Sequence, residues 1–197
     1  MKEYTKMTDE ELVVAYMDGE ARAFDVILTR YQATIYSYFL YVVGDEDEAN
    51  ELFQYTFVKV IVFLQEQRYK PMGLFNYWLI RIAHNMISDK FRRNDHKLVK
   101  DVNAKNDLTR IRNEAITVSP YDDEMIRDQA FDELHRMVNK LPAEQREMVY
   151  LRYFEEMSFK DIAAITGVSI NTALGRMRYA ILNLRRIANE HHISLSV

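Results

Sequence analysis

The chain has 197 residues, 48% hydrophobic and 28% charged, with a formal net charge of −4 and no cysteine. This composition excludes a disulfide framework and a thiolate metal site, and no stretch approaches the roughly eighteen consecutive apolar residues of a membrane span. The polar, acidic N-terminus lacks the apolar core of a signal peptide, so a cytoplasmic protein that is not inserted in a membrane is expected.

In chain order, Thr8 with Glu11 three residues later reads as a capping box that opens a helix over Leu12, Val13 and Tyr16. Asp18-Gly19 ends it. A long helix is predicted from about residue 20 to 43, apolar at Phe24, Ile27, Leu28, Tyr31, Ile35, Tyr38 and Phe39, with Gly44 as its stop. A third covers roughly residues 46 to 65, using Ala49, Leu52, Phe53, Thr56, Phe57, Val60 and Phe63. Pro71 and Gly73 mark a loop. A fourth runs from about residue 74 to 93, with Leu74, Phe75, Trp78, Leu79, Ile82 and Met86 buried. Four amphipathic helices in succession predict one helical domain over residues 1–93.

Residues 94–121 turn polar, lose their apolar period and read as a linker, with partial helix near residues 108 to 115. A second helical domain is expected over residues 122–190, followed by a polar tail, 191–197. It starts with a helix to about Lys140, breaks at Leu141-Pro142 and resumes to about Phe154.

Residues 158–186 then read as a helix-turn-helix. Phe159, Ile162, Ala163 and Ile165 make a short apolar helix, Gly167 can take the left-handed conformation that ends it, and Ser169 can cap the next. In that second helix Ile170, Leu174, Met177, Ile181 and Leu184 form the predicted buried stripe. From Ile162 to Asn189 there is no acid, while Arg176, Arg178, Arg185 and Arg186 are basic. Such a helix suits a phosphate backbone and the base edges of a major groove.

Charge is segregated elsewhere too. Residues 67–88 hold Arg68, Lys70 and Arg81 with no acid, and Lys90, Arg92 and Arg93 follow; residues 44–51 hold five acids and no base. One surface suits nucleic acid and another a basic protein partner, although solvated helix faces would look the same. The five histidines show no metal-ligand spacing. No nucleophile–base pair or phosphate-binding glycine loop appears, so neither an enzyme nor a cofactor is expected.

Four blocks, in order, resemble the extracytoplasmic-function sigma factors of bacterial RNA polymerase. They are Asp18-Gly19-Glu20 through Ala23-Phe24 and Tyr31; residues 47–57, DEANELFQYTF; Phe75, Trp78-Leu79, Arg81-Ile82-Ala83, Asn85 and Asp89 through Arg92-Arg93; and Leu141-Pro142, Arg146, Leu151, Tyr153 and residues 158–180. The resemblance implies an all-α protein: a four-helix domain of the sigma region 2 kind, and a helix-turn-helix domain of the region 4 kind. It implies core-polymerase contacts at Asp47, Glu48, Glu51, Gln54 and Tyr55, where Tyr55 departs from the acidic residue usual in the family. It implies reading and melting of the −10 element by Tyr69, Lys70, Tyr77, Arg81, Asn85, Arg92 and Arg93, with a flipped base held by stacking and edge hydrogen bonds. The loop Tyr69-Lys70-Pro71-Met72-Gly73 departs from the family's common run, and the spacing of Trp78 with Leu74 and Ile82 favours a core position. It implies −35 reading by Asn171, Thr172, Gly175, Arg176, Arg178 and Tyr179. Leu174 stands where many relatives are basic and is taken here as buried. Arg146 suits a phosphate contact or a plain surface position equally.

The implied partners are the polymerase core, at its β′ clamp helices and β flap, promoter DNA, and an anti-sigma factor of the kind common in the family. Two other readings stay open on the residues alone. One is a self-sufficient helix-turn-helix regulator; the other is an all-helical protein-interaction module.

Overall fold

The computed structural model describes residues 3–102 and 136–190, with side chains as far as residue 93 in the first stretch. Among these residues every regular element is a helix, and no helix is long and apolar enough to cross a membrane.

The capping box forms as expected. The Glu11 amide donates to Thr8 Oγ1 at 3.3 Å and the Thr8 amide donates to Glu11 Oε2 at 2.7 Å, which starts α1 (Asp9–Met17). The long α2 (Ala21–Val43) ends at Gly44, whose φ of 76° is the left-handed conformation that glycine adopts most easily. Asp45 caps α3 (Glu46–Gln65) by accepting from the Glu48 amide at 2.8 Å. The helix that follows, α4 (Phe75–Val102), runs nine residues past its expected end. Residues 94–102 contain neither glycine nor proline, so nothing local stops the helix once its apolar period fades. The first part of the expected linker is therefore helical. The rest of that linker, the start of the second domain and the tail lie outside the described residues.

Leu12, Ile27, Phe39, Val60 and Leu79 are fully buried where α1 to α4 meet. Each such side chain contributes about 1.5–3 kcal/mol by leaving water. Leu74, expected in this core, is 52% exposed because it precedes the first turn of α4 instead of lying within it.

In the second domain α5 (Ala143–Tyr153), α6 (Phe159–Thr166) and α7 (Ile170–Glu190) pack around Met148, Leu151, Met157, Ile162 and Met177. Ser158 caps α6 by accepting from the Asp161 amide at 3.2 Å, Gly167 ends it at φ 68°, and Ser169 accepts from the Thr172 amide at 3.0 Å. The expected stripe of α7 holds at Met177, which is buried, and at Ile181 and Leu184, which pack against the core, but Ala173, Ala180 and Ile187 fill the other buried positions while Ile170 and Leu174 are 46% and 44% exposed. Alanines let α7 approach α5 and α6 closely, and Ile170 and Leu174 turn outward.

The two domains pack on each other, α2 against α5 and α4 against α6. Tyr38 and Tyr41 of α2 meet Tyr150 at ring-centroid distances of 5.3 Å each, and Phe154 stacks on Tyr150 at 5.2 Å. Glu155 follows this cluster, and burial holds its carboxyl above the usual 4.5. The folded chain therefore binds more protons than the unfolded chain between 4.5 and the raised value. Stability falls as pH rises through that window, and the whole penalty is present at neutral pH. Glu155→Gln is expected to raise the thermal midpoint at neutral pH, and the gain should vanish below 4.5; melts at the two pH values measure it.

Candidate nucleic-acid interface

The buried face of α4 carries Phe75, Leu79, Ile82, Ala83 and Ile87. The opposite face therefore presents Tyr77, Arg81, Asn85, Ser88 and Arg92, at steps of four and three, as one exposed row about 22 Å long at 1.5 Å per residue. Four of these five are expected site residues; Ser88 was missed, and only its place in the row marks it. Arg93 is exposed beside them, and Arg92 Nη2 donates to Asp89 Oδ1 at 2.9 Å. Lys90, counted from sequence in the basic run, turns away. Its side chain is only 16% exposed, and its ammonium lies 3.4 Å from Glu48 and 3.5 Å from Glu51. It ties α4 to the acidic start of α3.

The loop before α4 corrects one expectation. Tyr69 is not an open stacking platform: it is 5% exposed, its ring centroid is 4.7 Å from that of Trp78 and 5.6 Å from that of Phe75, and its hydroxyl donates to Glu10 Oε1 at 2.5 Å. Burial, then Glu10, pushes the hydroxyl's pKa up, so it stays a donor. Tyr69 anchors the loop and Lys70, Pro71 and Met72 are displayed beyond it; Met72 is 73% exposed. Trp78 is half-buried in this cluster, as its spacing suggested.

On α3 the expected protein-contact residues Asp47, Glu51, Gln54 and Tyr55 are exposed in one row, which Val58 and Val62 continue. Glu48 lies beside the row, half-buried against Lys90. Val58 and Val62 belong to neither the core nor the contact set expected from the sequence; an exposed apolar extension to an acidic row suits a protein surface. The acids of the first turn, Glu46, Asp47 and Glu48, also complement the positive end of the helix dipole.

On α7, Asn171, Thr172, Arg178 and Tyr179 are exposed, and Gly175 and Arg176 are partly so. The Thr172 hydroxyl is 2.8 Å from that of Ser169 and is engaged in the cap. Leu174 lies on the same face as Asn171 and Arg178, so its expected burial is reversed. Arg146 is no free phosphate ligand: its Nε donates to the Val42 carbonyl at 2.9 Å and its Nη1 to the Asn139 carbonyl at 3.0 Å. Between the domains a cleft is lined by His84, Ser88 and Arg92 of α4, Glu147 of α5 and Arg176 of α7. Among the described residues, no three His, Asp or Glu side chains converge as metal ligands would.

Residues 27–97 match the family model for sigma-70 region 2, and residues 131–176 that for sigma-70 region 4. Together the two cover more than half of the chain. The RNA polymerase sigma-H factor of Pseudomonas aeruginosa is 28% identical over 88% of this chain and 90% of its own length. The sigma factor CarQ of Myxococcus xanthus is 29% identical over 92% of this chain and 98% of its own. The ECF sigma factor SigW of Bacillus subtilis is 25% identical over 85% and 90%. Two solved structures share the fold at 21% identity. The sigma factor RpoE of Bartonella quintana, in complex with the anti-sigma factor NepR, has a TM-score of 0.65 and covers 84% of this chain and 96% of that one. CnrH, in complex with the cytosolic domain of CnrY, has a TM-score of 0.64 and covers 92% and 97%.

Proposed function

The chain belongs to the sigma-70 family of RNA polymerase sigma factors, in its extracytoplasmic-function branch, and from that premise we propose how its surfaces divide the work of starting transcription at chosen promoters. The row Asp47, Glu51, Gln54, Tyr55, Val58 and Val62 on α3, with Glu48 at its edge, docks on a basic and apolar surface of the core enzyme. The row Tyr77, Arg81, Asn85, Ser88 and Arg92 on α4, with Lys70 and Arg93 beside it, takes the −10 element. The exposed face of α7 enters the major groove of the −35 element. There Arg176 and Arg178 reach phosphate or guanine, Asn171 reaches a base edge, and Leu174 lies against a thymine methyl. The protein selects promoters in the cytoplasm, where polymerase works, and catalyses no step itself. An anti-sigma partner belongs to the same reading, since RpoE and CnrH are each held by a second protein.

The observation that carries this reading is the row on α4. It is exposed and free of acid from Tyr77 to Ser88, on the same chain as an α7 that is free of acid as far as Asn189. Neither a self-sufficient regulator nor a plain interaction module is favoured by regions 2 and 4 occurring in this order.

Affinity for DNA scales with the phosphate charge neutralised, so a chain of net charge −4 with two modest basic faces binds weakly alone. Held on polymerase, both faces act at high effective concentration. The chain is expected to shift no promoter fragment by itself, and to give specific shifts and run-off transcripts with core enzyme from a genomic library. Tight, specific binding by the free chain would sink this account.

A further inference from the structure

Asp9 and Glu10, neighbours on α1, each accept a hydrogen bond from a tyrosine hydroxyl. Tyr31 of α2 donates to Asp9 Oδ2 at 2.6 Å, and Tyr69 of the α3–α4 loop donates to Glu10 Oε1 at 2.5 Å. Both tyrosine rings pack on Phe75, the first residue of α4, at centroid distances of 5.6 Å each. Asp9 is also paired with Arg30 at 2.7 Å, and Arg30 donates to the Thr5 and Met7 carbonyls at 3.0 and 2.6 Å. With Leu12 and Val13 fully buried as well, α1 is a rigid mount. The region 2 match begins at residue 27, so Glu10 lies outside it.

Glu10 acts on the loop backbone as well as on a ring. The Tyr69 hydroxyl also accepts from the backbone amides of Met72 and Leu74. Amide, phenol and carboxylate thus form one chain, in which each hydrogen bond polarises and strengthens the next. A hydrogen bond from a hydroxyl to a carboxylate is among the shorter and stronger kinds. The other carboxylate oxygen, Oε2, is buried and has no hydrogen-bond partner among the described residues. Leaving a buried acceptor unsatisfied costs stability, so packing alone would be better served by an apolar side chain. What the carboxylate supplies is a fixed course for the loop. Lys70, Pro71 and Met72 are exposed on it, and the backbone then enters α4, where Tyr77 opens the exposed row.

We propose that Glu10 is a positioning residue for promoter choice: through the Tyr69 hydroxyl it fixes the backbone of residues 70–74, and so sets how sharply the chain discriminates between bases of the −10 element. The proposal rests on the sigma-factor reading. Glu10 itself touches no base; a helix outside region 2 governs specificity through one tyrosine.

Three changes separate the hydrogen bond from the packing. Tyr69→Phe removes only the hydroxyl and keeps the ring on Phe75 and Trp78, Glu10→Ala removes the acceptor, and Glu10→Gln keeps an acceptor without the charge. Amide hydrogen exchange across residues 70–74 of the free, full-length chain is expected to quicken about tenfold or more in Tyr69→Phe and Glu10→Ala, with helix content unchanged by circular dichroism. Run-off transcription with core polymerase from a promoter library randomised at −10 is expected to lose roughly tenfold in preference for the best base over its competitors, while assembly with core on native gels stays as it was. A purely structural role would lower the yield from all −10 sequences alike and leave the preference intact. Glu10→Gln is expected to fall between, and Glu10→Ala combined with Tyr69→Phe to lose no more than either change alone, since both break one hydrogen bond.

Unchanged exchange, unchanged base preference in a folded variant, or losses that add in the double variant would each overturn the proposal. Should Glu10→Ala not fold, Tyr69→Phe decides alone. A native chain that directs no promoter-specific transcription with core refutes the sigma-factor reading, and the proposal with it. A specific native chain whose variants keep its preferences refutes the proposal alone.

Discussion

Replacing Arg81 and Asn85 together with alanine is expected to cut promoter-specific run-off transcription by about two orders of magnitude and to leave assembly with core polymerase unchanged. The two side chains are one helical turn apart in the exposed row of α4, while Leu79, Ile82, Ala83 and Ile87 hold the helix to its core from the other side. Removing them therefore leaves the fold intact. A good base-edge or stacking contact contributes about 1–3 kcal/mol. Two such contacts near the lower end of that range, about 1.4 kcal/mol each, give roughly a hundredfold. Run-off yield and native-gel assembly with core, measured side by side, check the assignment. Equal loss in both would mean that the row holds protein and not DNA; no loss in either would leave the row without a role.

Phe39→Ala is expected to be the most damaging single change to stability. Phe39 is fully buried, packs against Tyr38 at a ring distance of 5.7 Å, and sits on the helix that touches α1, α3, α4 and α5. Truncating a buried phenylalanine costs about 3–5 kcal/mol, because the cavity left behind collapses only partly. At about 2–4 °C per kcal/mol for a chain of this size, the thermal midpoint should fall by about 10 °C. A loss of that size is a large share of the roughly 5–15 kcal/mol that hold a domain folded. Because α2 serves both domains, both should lose cooperativity in one transition. A drop of only a degree or two by circular dichroism would show that the site repacks.

The helices themselves were legible because their ends are written in single residues. Gly44 and Asp45 mark the α2–α3 break, and Ser158, Gly167 and Ser169 mark the helix-turn-helix. The faces of those helices were harder. On α7 the large apolar residues Ile170 and Leu174 were taken for the core, yet the buried positions are filled by Ala173 and Ala180. Hydrophobicity ranks side chains by size, whereas a close helix crossing selects small ones. Tyr69 shows a second gap. An aromatic ring reads the same whether it stacks on a base or on Trp78, and only Glu10, 59 residues away, decides. Lys90 shows a third, since its charge was counted with a patch that its ammonium leaves. The expected row on α4 was nearly complete because period alone defines it. The hydrogen bonds of Glu147 to Tyr38 and His84 join residues 109 and 63 positions apart and have no local signature.

The loop between α3 and α4 has one more consequence. It is held to the body through the Tyr69 ring, and it enters and leaves through left-handed residues, Gln67 at φ 53° and Gly73 at φ 74°. Everything displayed from Lys70 to Met72 is thus mounted on a single post. Such a segment behaves as a cassette. Its sequence can drift or be exchanged for another of the same length without disturbing the helices beneath, provided the tyrosine and the two hinges are kept. On the reading proposed above, divergence in promoter choice among proteins built this way has a low structural cost, and a designer seeking a new specificity would begin with Lys70, Pro71 and Met72.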